Sequence, residues 1–324
     1  MLMSVILFAV GLVLLIKGGD WFVDGATGIA KRFNLPDIVV GATVVSIGTT
    51  LPEVMVSTTG ALQGSGAMAY GNAIGSIICN TALIAAISIV CNPGPVNTKS
   101  MKTPAIFFFC SAALYCVASY VLGEFPRWMG FMMLAIFVVY MVLTVRNGMK
   151  NPDEAELEEE EESKQRTLIM ELALLVIGAA VIAVGADLLV EHGQVIALGL
   201  GVPETVVALL FVALGTSLPE LVTTITSLRS GHASLGVGNV IGANVFNLVL
   251  VSGVAVSLAP FPVPMENELL NTGLNMSLVF EIPVMLGVMS LMIFPTLATK
   301  KLARWQGVAL LGIYAAFCVC QFIL

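Results

Sequence analysis

Charge is what this sequence has least of. Asp, Glu, Lys and Arg make up 11% of its 324 residues, against about a quarter in an ordinary soluble domain. A chain this poor in charge cannot clothe a water-facing globule. With 58% hydrophobic residues and a mean hydropathy of +0.98 it reads as an integral membrane protein, with the lipid bilayer as its main surrounding. Histidine is scarcer still: His192 and His232 are the only two, and both are placed in loops. No nucleophile–base pair or histidine metal centre can be assembled from them, which points away from an enzyme and from any resident cofactor. The net charge of −7 gives no basic surface for nucleic acid, and nothing marks an obligate protein partner. The six cysteines (Cys79, Cys91, Cys110, Cys116, Cys318 and Cys320) lie in or beside apolar runs and read as small packing residues. Cys318 and Cys320, two apart on a helix, have poor spacing for a metal. The first sixteen residues lack a small-residue cleavage site and have no basic residue before Lys17, so they read as a membrane span and not as a removed signal.

What the chain does have is long apolar runs. Stretches of about 20 such residues mark membrane helices. They fall near 2–22, 36–62, 68–91, 103–122, 126–146, 168–190, 203–228, 234–259, 276–296 and 304–324. With the N-terminus outside, twelve of the fourteen Lys and Arg lie in inner loops, as the positive-inside rule requires. Both termini are then extracellular or periplasmic, in a multi-pass protein of the cell (inner or plasma) membrane. The acidic stretch from Asp153 to Glu162 is cytoplasmic. It lacks the glycine turn and spaced ligands of an EF-hand loop and reads as a solvated linker over 149–166. It separates a first five-helix half, 1–148, from a second, 167–324.

The halves repeat at a constant offset of 167. Gly48-Thr49-Thr50-Leu51-Pro52-Glu53 answers to Gly215-Thr216-Ser217-Leu218-Pro219-Glu220, Gly71-Asn72 to Gly238-Asn239, Gly75 to Gly242 and Asn80 to Asn247. Between Val44 and Asn80, thirteen of thirty-seven positions are identical in the second copy without a gap. Five helices per half is an odd number, so the copies cross the membrane in opposite senses. The expected fold is an all-α membrane protein of ten transmembrane helices in two inverted five-helix repeats, with helices 2 and 7 discontinuous. Inverted repeats with broken helices and a midplane site are the pattern of secondary transporters.

A carboxylate within a membrane helix is costly and usually faces a polar cavity or a partner. Pro52 and Pro219 have no N–H, so a break or kink is expected near Gly48–Pro52 and Gly215–Pro219, freeing carbonyls beside Glu53 and Glu220. Hydroxyls of Thr49, Thr50, Thr216 and Ser217 and amides of Asn80 and Asn247 complete an all-oxygen donor set. Such a set suits Na⁺ or Ca²⁺. One Ca²⁺ neutralises two carboxylates, several Na⁺ can occupy neighbouring oxygens, and competition for shared carboxylates couples the two ions. Asp20 and Asp187 read as solvated anchors near helix ends. Glu124, Glu191, Glu266 and Glu268 read as wet outer-loop residues.

These motifs resemble the two alpha repeats of the sodium/calcium exchangers, in the cation/calcium exchanger superfamily. The matching stretches are Ser46 to Glu53 with Gly71 to Ser76 and Asn80, and Ala213 to Glu220 with Gly238 to Asn244 and Asn247, within motifs at 41–80 and 208–247. The chain is similar to a compact prokaryotic-type member. The resemblance implies a calcium site of Glu53, Glu220, Thr49 and Thr216, and sodium ligands at Ser46, Thr50, Ser76, Ala213, Ser217 and Asn80, some through backbone oxygen. It also implies that the first and sixth helices slide across a core of the other eight. Ala243 stands where many members carry serine, and Asn247 where potassium-dependent members carry aspartate. Na⁺/Ca²⁺ antiport leads; Ca²⁺/H⁺ exchange, K⁺-dependent exchange and a cation channel are the alternatives.

Overall fold

A computed structural model describes residues 2–33, 35–150, 167–199, 215–264 and 275–323. The chain is nearly all helix. In order these are α1 (Leu2–Phe33), α2 (Asp37–Leu62), α3 (Gly66–Cys91), α4 (Met101–Leu122), α5 (Arg127–Lys150), α6 (Leu168–Gly199), α7 (Leu218–Arg229), α8 (Ala233–Leu258), α9 (Ser277–Thr299) and α10 (Arg304–Ile323). Eight of them are long and apolar enough to cross a membrane. The other two are the 12-residue α7 and the 20-residue α10. The acidic linker, Ala213, Glu266 and Glu268 lie outside the described residues.

Two boundaries move relative to the hydropathy reading. α1 continues past residue 22 to Phe33 and α6 past 190 to Gly199, so His192 sits in a helix and not in a loop. Hydropathy marks where lipid ends, not where backbone hydrogen bonding ends. At 32 residues each, these helices are about 48 Å long. That exceeds a hydrocarbon core of about 30 Å, so they extend beyond it or tilt.

The repeat is visible in the backbone. α3 opens as regular helix over Gly66–Cys79 and turns π-helical over Asn80–Ala85; α8 does the same over Ala233–Phe246 and Asn247–Val251. Gly64 and Gly231, 167 apart, both hold φ of +83° in the turns before these helices, a conformation that side chains rarely adopt. Two short antiparallel ribbons repeat the relation. β1 (Gly94–Pro95), after α3, pairs with β4 (Lys301–Leu302), before α10; β3 (Phe261–Pro262), after α8, pairs with β2 (Glu124–Phe125), before α5. Exchanging the halves maps one ribbon onto the other.

α8 is the axis of the packing. Its most apolar window is 89% buried, against 28% for α1 and 22% for α6. It approaches α2 backbone to backbone: a Cβ at Gly238 would lie 2.2 Å from the Ile38 carbonyl oxygen, and one at Gly41 2.1 Å from that of Leu235. Only glycine permits this approach. α1 and α6 pack antiparallel on the outside through small residues, with Gly18 against Ile182 and Gly185 against Leu15. Their outer faces show Val5, Val13, Ile169 and Val176 to the surroundings, as a lipid-facing surface does. Arg32 closes one end of the pair with a two-pronged grip on Glu171, Nε to Oε2 at 2.8 Å and Nη2 to Oε1 at 3.3 Å.

Gly238→Val therefore forces α8 off α2 and destabilises the protein by about 3 kcal/mol. Gly312→Ala, which meets nothing within 4 Å among the described residues, stays within about 0.5 kcal/mol of the parent. Thermal unfolding of both in detergent checks this; equal melting would contradict the close approach.

Candidate functional site

The site forms where α2 and α7 face each other, with α3 and α8 behind them and α1 and α6 in front. α2 is not broken at Pro52. Pro52 sits inside regular helix over Ser46–Leu62, and the irregularity comes earlier, as a π-helical turn over Gly41–Val45. A π turn widens the helix by one residue and so absorbs a strained position without ending the helix. Its loosened carbonyls are held: Ser46 Oγ donates to the Gly41 carbonyl at 2.8 Å and Tyr140 Oη to that of Ala42 at 2.8 Å. Before α7 the described chain resumes at Gly215. Thr216 and Ser217 form a turn, and regular helix starts at Leu218 with Pro219 in the first turn, where a missing N–H costs least.

Glu53 and Glu220 are both wholly buried, and among the described residues neither carboxylate has a hydrogen-bond partner on either oxygen. They sit on facing helices, α2 and α7. No Lys, Arg or His pairs with either, and the ion pairs of the described residues lie elsewhere, including Arg32–Glu171 and His232–Asp37. Leaving buried charge or polarity unpaired is expensive, and among the described residues no protein group supplies a counter-charge to this pair.

The neutral donors surround it. Thr50 Oγ1, Ser217 Oγ, both amide atoms of Asn80 and Oδ1 of Asn247 are buried without a partner. Asn80 and Asn247 each open the π-helical turn of their helix; the Asn80 turn packs against α7 and the Asn247 turn against α2, so each half presents its amide to the other half's carboxylate helix. Asn247 Nδ2 donates to the Ala243 carbonyl at 3.0 Å, which leaves its oxygen as the free end. Ser76 is buried on α3. Ser46 is buried, and its hydroxyl donates to the Gly41 carbonyl at 2.8 Å with the Asn239 carbonyl 3.0 Å away. Ala213 cannot be placed. No group of three or more His, Cys, Asp or Glu sits together among the described residues, so the site is two carboxylates in neutral oxygen.

Thr49 and Thr216 are held by residues that the sequence reading did not count as part of the site. Thr49 Oγ1 donates to Asn239 Oδ1 at 3.2 Å, and Thr216 Oγ1 to Asn72 Oδ1 at 3.4 Å. Both asparagines belong to the repeated Gly-Asn pair, so the offset of 167 was the signal that could have found them. In front, a small cavity is lined by Gly48, Thr49, Pro52 and Pro219 on one side and by Phe22, Ala179, Ile182 and Ala183 on the other. The buried Phe22 ring rests on Gly48. α1 and α6 thus cover the site with apolar side chains. Asp20 and Asp187 are not part of it: Asp20 is partly exposed beside Lys17, and Asp187 is exposed.

The sequence pattern of the family described as "Sodium/calcium exchanger protein" matches residues 3–146 and 170–323. The chain belongs to the sodium/calcium exchanger family. A membrane protein of Methanocaldococcus jannaschii, MJ0091, is 33% identical over 309 residues, covering 95% of this chain and 94% of the relative. The sodium/calcium exchanger MaX1 of Methanosarcina acetivorans is 29% identical over 352 residues, covering 98% of each. The solved structure of the sodium-calcium exchanger NCX_Mj, soaked with Na⁺ and Sr²⁺, superposes with a TM-score of 0.80 at 31% identity over 98% of both chains. The exchanger fold therefore extends over essentially the whole chain.

Two unpaired buried carboxylates oppose folding when no cation is present. Calcium at a hundred times its dissociation constant stabilises the parent protein by about 2.7 kcal/mol. Glu53→Gln and Glu220→Gln melt higher than the parent without cations and gain nothing from calcium. Thermal unfolding with and without Ca²⁺ checks this, and calcium stabilisation of either variant would contradict the assignment.

Proposed function

We propose that the protein is a secondary antiporter that exchanges Na⁺ for Ca²⁺ across the cell membrane by alternating access, with both ions using the site of Glu53 and Glu220. The observation that carries the reading is the pair of buried carboxylates without a protein counter-charge, one from each copy of the repeat. Calcium neutralises both at once with Thr49 and Thr216 beside it. Sodium ions spread over the same carboxylates and the oxygens of Ser46, Thr50, Ser76, Ala213, Ser217, Asn80 and Asn247. Since both ions need Glu53 and Glu220, one leaves as the other binds. An empty site carries two uncompensated charges and resists passage through the apolar interior, which favours exchange over leak.

The repeat supplies the two states. Each half can take the conformation of the other, and the second conformation opens the site to the opposite side. α1 and α6 cover the site with a smooth, small-residue interface and are the elements that move. Both termini lie outside and the acidic linker of 149–166 is cytoplasmic.

The test is sodium-gradient-driven uptake of radioactive calcium into proteoliposomes. Glu53→Gln and Glu220→Gln each lower uptake at least about a hundredfold, because removing one partner from a buried charged assembly costs several kcal/mol. Uptake by the parent does not require K⁺, since Asn247 is a neutral amide. Parental uptake by either variant contradicts the mechanism, and uptake driven by a pH gradient without sodium replaces it with Ca²⁺/H⁺ exchange.

A further inference from the structure

We infer that Asn72 and Asn239 are positioning residues of the ion site, each taking the hydroxyl proton of the other half's threonine so that the threonine oxygen is left to face the cation. The inference rests on the site proposed above and concerns residues outside its ligand set.

A hydroxyl that ligates a cation must turn its hydrogen away from it. In a wet site water accepts that hydrogen, whereas a buried site needs a protein acceptor. Thr49 of α2 finds one in Asn239 Oδ1 of α8 at 3.2 Å, and Thr216, just before α7, in Asn72 Oδ1 of α3 at 3.4 Å. Both bonds cross from one half of the chain to the other, and the two are related by the offset of 167. That equivalence is hard to obtain from incidental packing.

For Asn72, the end of the amide that meets the threonine is fixed by its other bonds. Asn72 Nδ2 donates to the Glu53 carbonyl at 3.2 Å and to Ser57 Oγ at 2.8 Å. A carbonyl only accepts, so the nitrogen must face it and the oxygen must face Thr216. The same amide thereby ties the backbone at Glu53 to the hydroxyl at Thr216. In the second half, Ser46 Oγ, whose proton goes to the Gly41 carbonyl at 2.8 Å, lies 3.3 Å from Asn239 Oδ1. Asn239 Nδ2 is buried without an acceptor, and so is the hydroxyl of Thr224, the residue matching Ser57. Asn239 Oδ1 thus accepts from Thr49, while its nitrogen has no acceptor among the described residues.

The choice of acceptor matters because Thr49 also lies beside Glu220. Without Asn239, the Thr49 proton turns to that carboxylate. It then occupies the oxygen that the cation needs and points positive charge into the site. Asn239 removes this competition, and Asn72 does the corresponding work for Thr216.

The test is a double-mutant cycle on the calcium dissociation constant of the purified protein in detergent, measured by equilibrium binding of radioactive calcium. Asn239→Ala weakens binding about tenfold, as loss of one oriented hydrogen bond at a buried site allows. In a Thr49→Val background the same substitution weakens it less than about twofold, because there is no proton left to direct. Asn72→Ala with Thr216→Val gives the same pattern and serves if Asn239→Ala does not purify as a single species. Unchanged affinity in Asn239→Ala, or an undiminished loss in the Thr49→Val background, overturns the inference and leaves the asparagines as interhelical packing groups. Glu220→Gln is measured alongside. Parental affinity there overturns the carboxylate site itself, whereas lost binding there with parental affinity in Asn239→Ala overturns only the positioning role.

Discussion

The structure depends on one unfavourable arrangement: two carboxylates, Glu53 and Glu220, buried in an apolar bundle with no hydrogen-bond donor and no basic partner. Everything near them limits that cost without removing it. Glycines at 41, 238 and 242 bring α8 onto α2, so neutral oxygens can stand close to the carboxylates without charge of their own. Asn80 and Asn247 open π-helical turns, which widen the helix where an amide must project. Ser46 and Ser252 each donate to the carbonyl five residues back, at 2.8 and 2.9 Å, and so quiet the backbone that the wide turns loosen. Thr50, Ser217, Asn80 and Asn247 are among the buried polar groups left without a partner.

Much of this was legible in the sequence because duplication makes it so. A single proline and glutamate in an apolar run can be a kink and an accident. The same pair 167 residues later, with glycines and an asparagine in step, cannot be read so easily that way. The helix order and the turn glycines Gly64 and Gly231 followed the repeat closely. What the sequence did not disclose was local. Proline chemistry pointed to a break or kink near Gly48–Pro52; α2 runs through Pro52 unbroken, and its π-helical turn lies earlier, at Gly41–Val45. The role of Asn72 and Asn239 was hidden because a sequence does not say which face of α3 or α8 an amide takes, or which half it reaches. Hydropathy stopped α1 at the edge of the lipid and missed the polar turns that carry Arg32 to Glu171.

That last contact breaks the symmetry. The positions related to Arg32 and Glu171 by the repeat are Gly199 and Ser4, which cannot form an ion pair. α1 and α6 are gripped at one end by a guanidinium fork, and the rest of their contact is apolar and small. A pair joined this way moves as a unit more readily than as two separate helices. Under the proposed alternating access, the two conformations are then related but not identical.

The central claim is that sodium and calcium share the carboxylates. Equilibrium binding of calcium to the purified protein, with sodium raised in steps and no membrane or gradient present, tests it most directly. The account predicts that sodium displaces calcium completely and with a slope steeper than one ion for one. Calcium that stays bound at saturating sodium would mean separate sites, and would contradict the account.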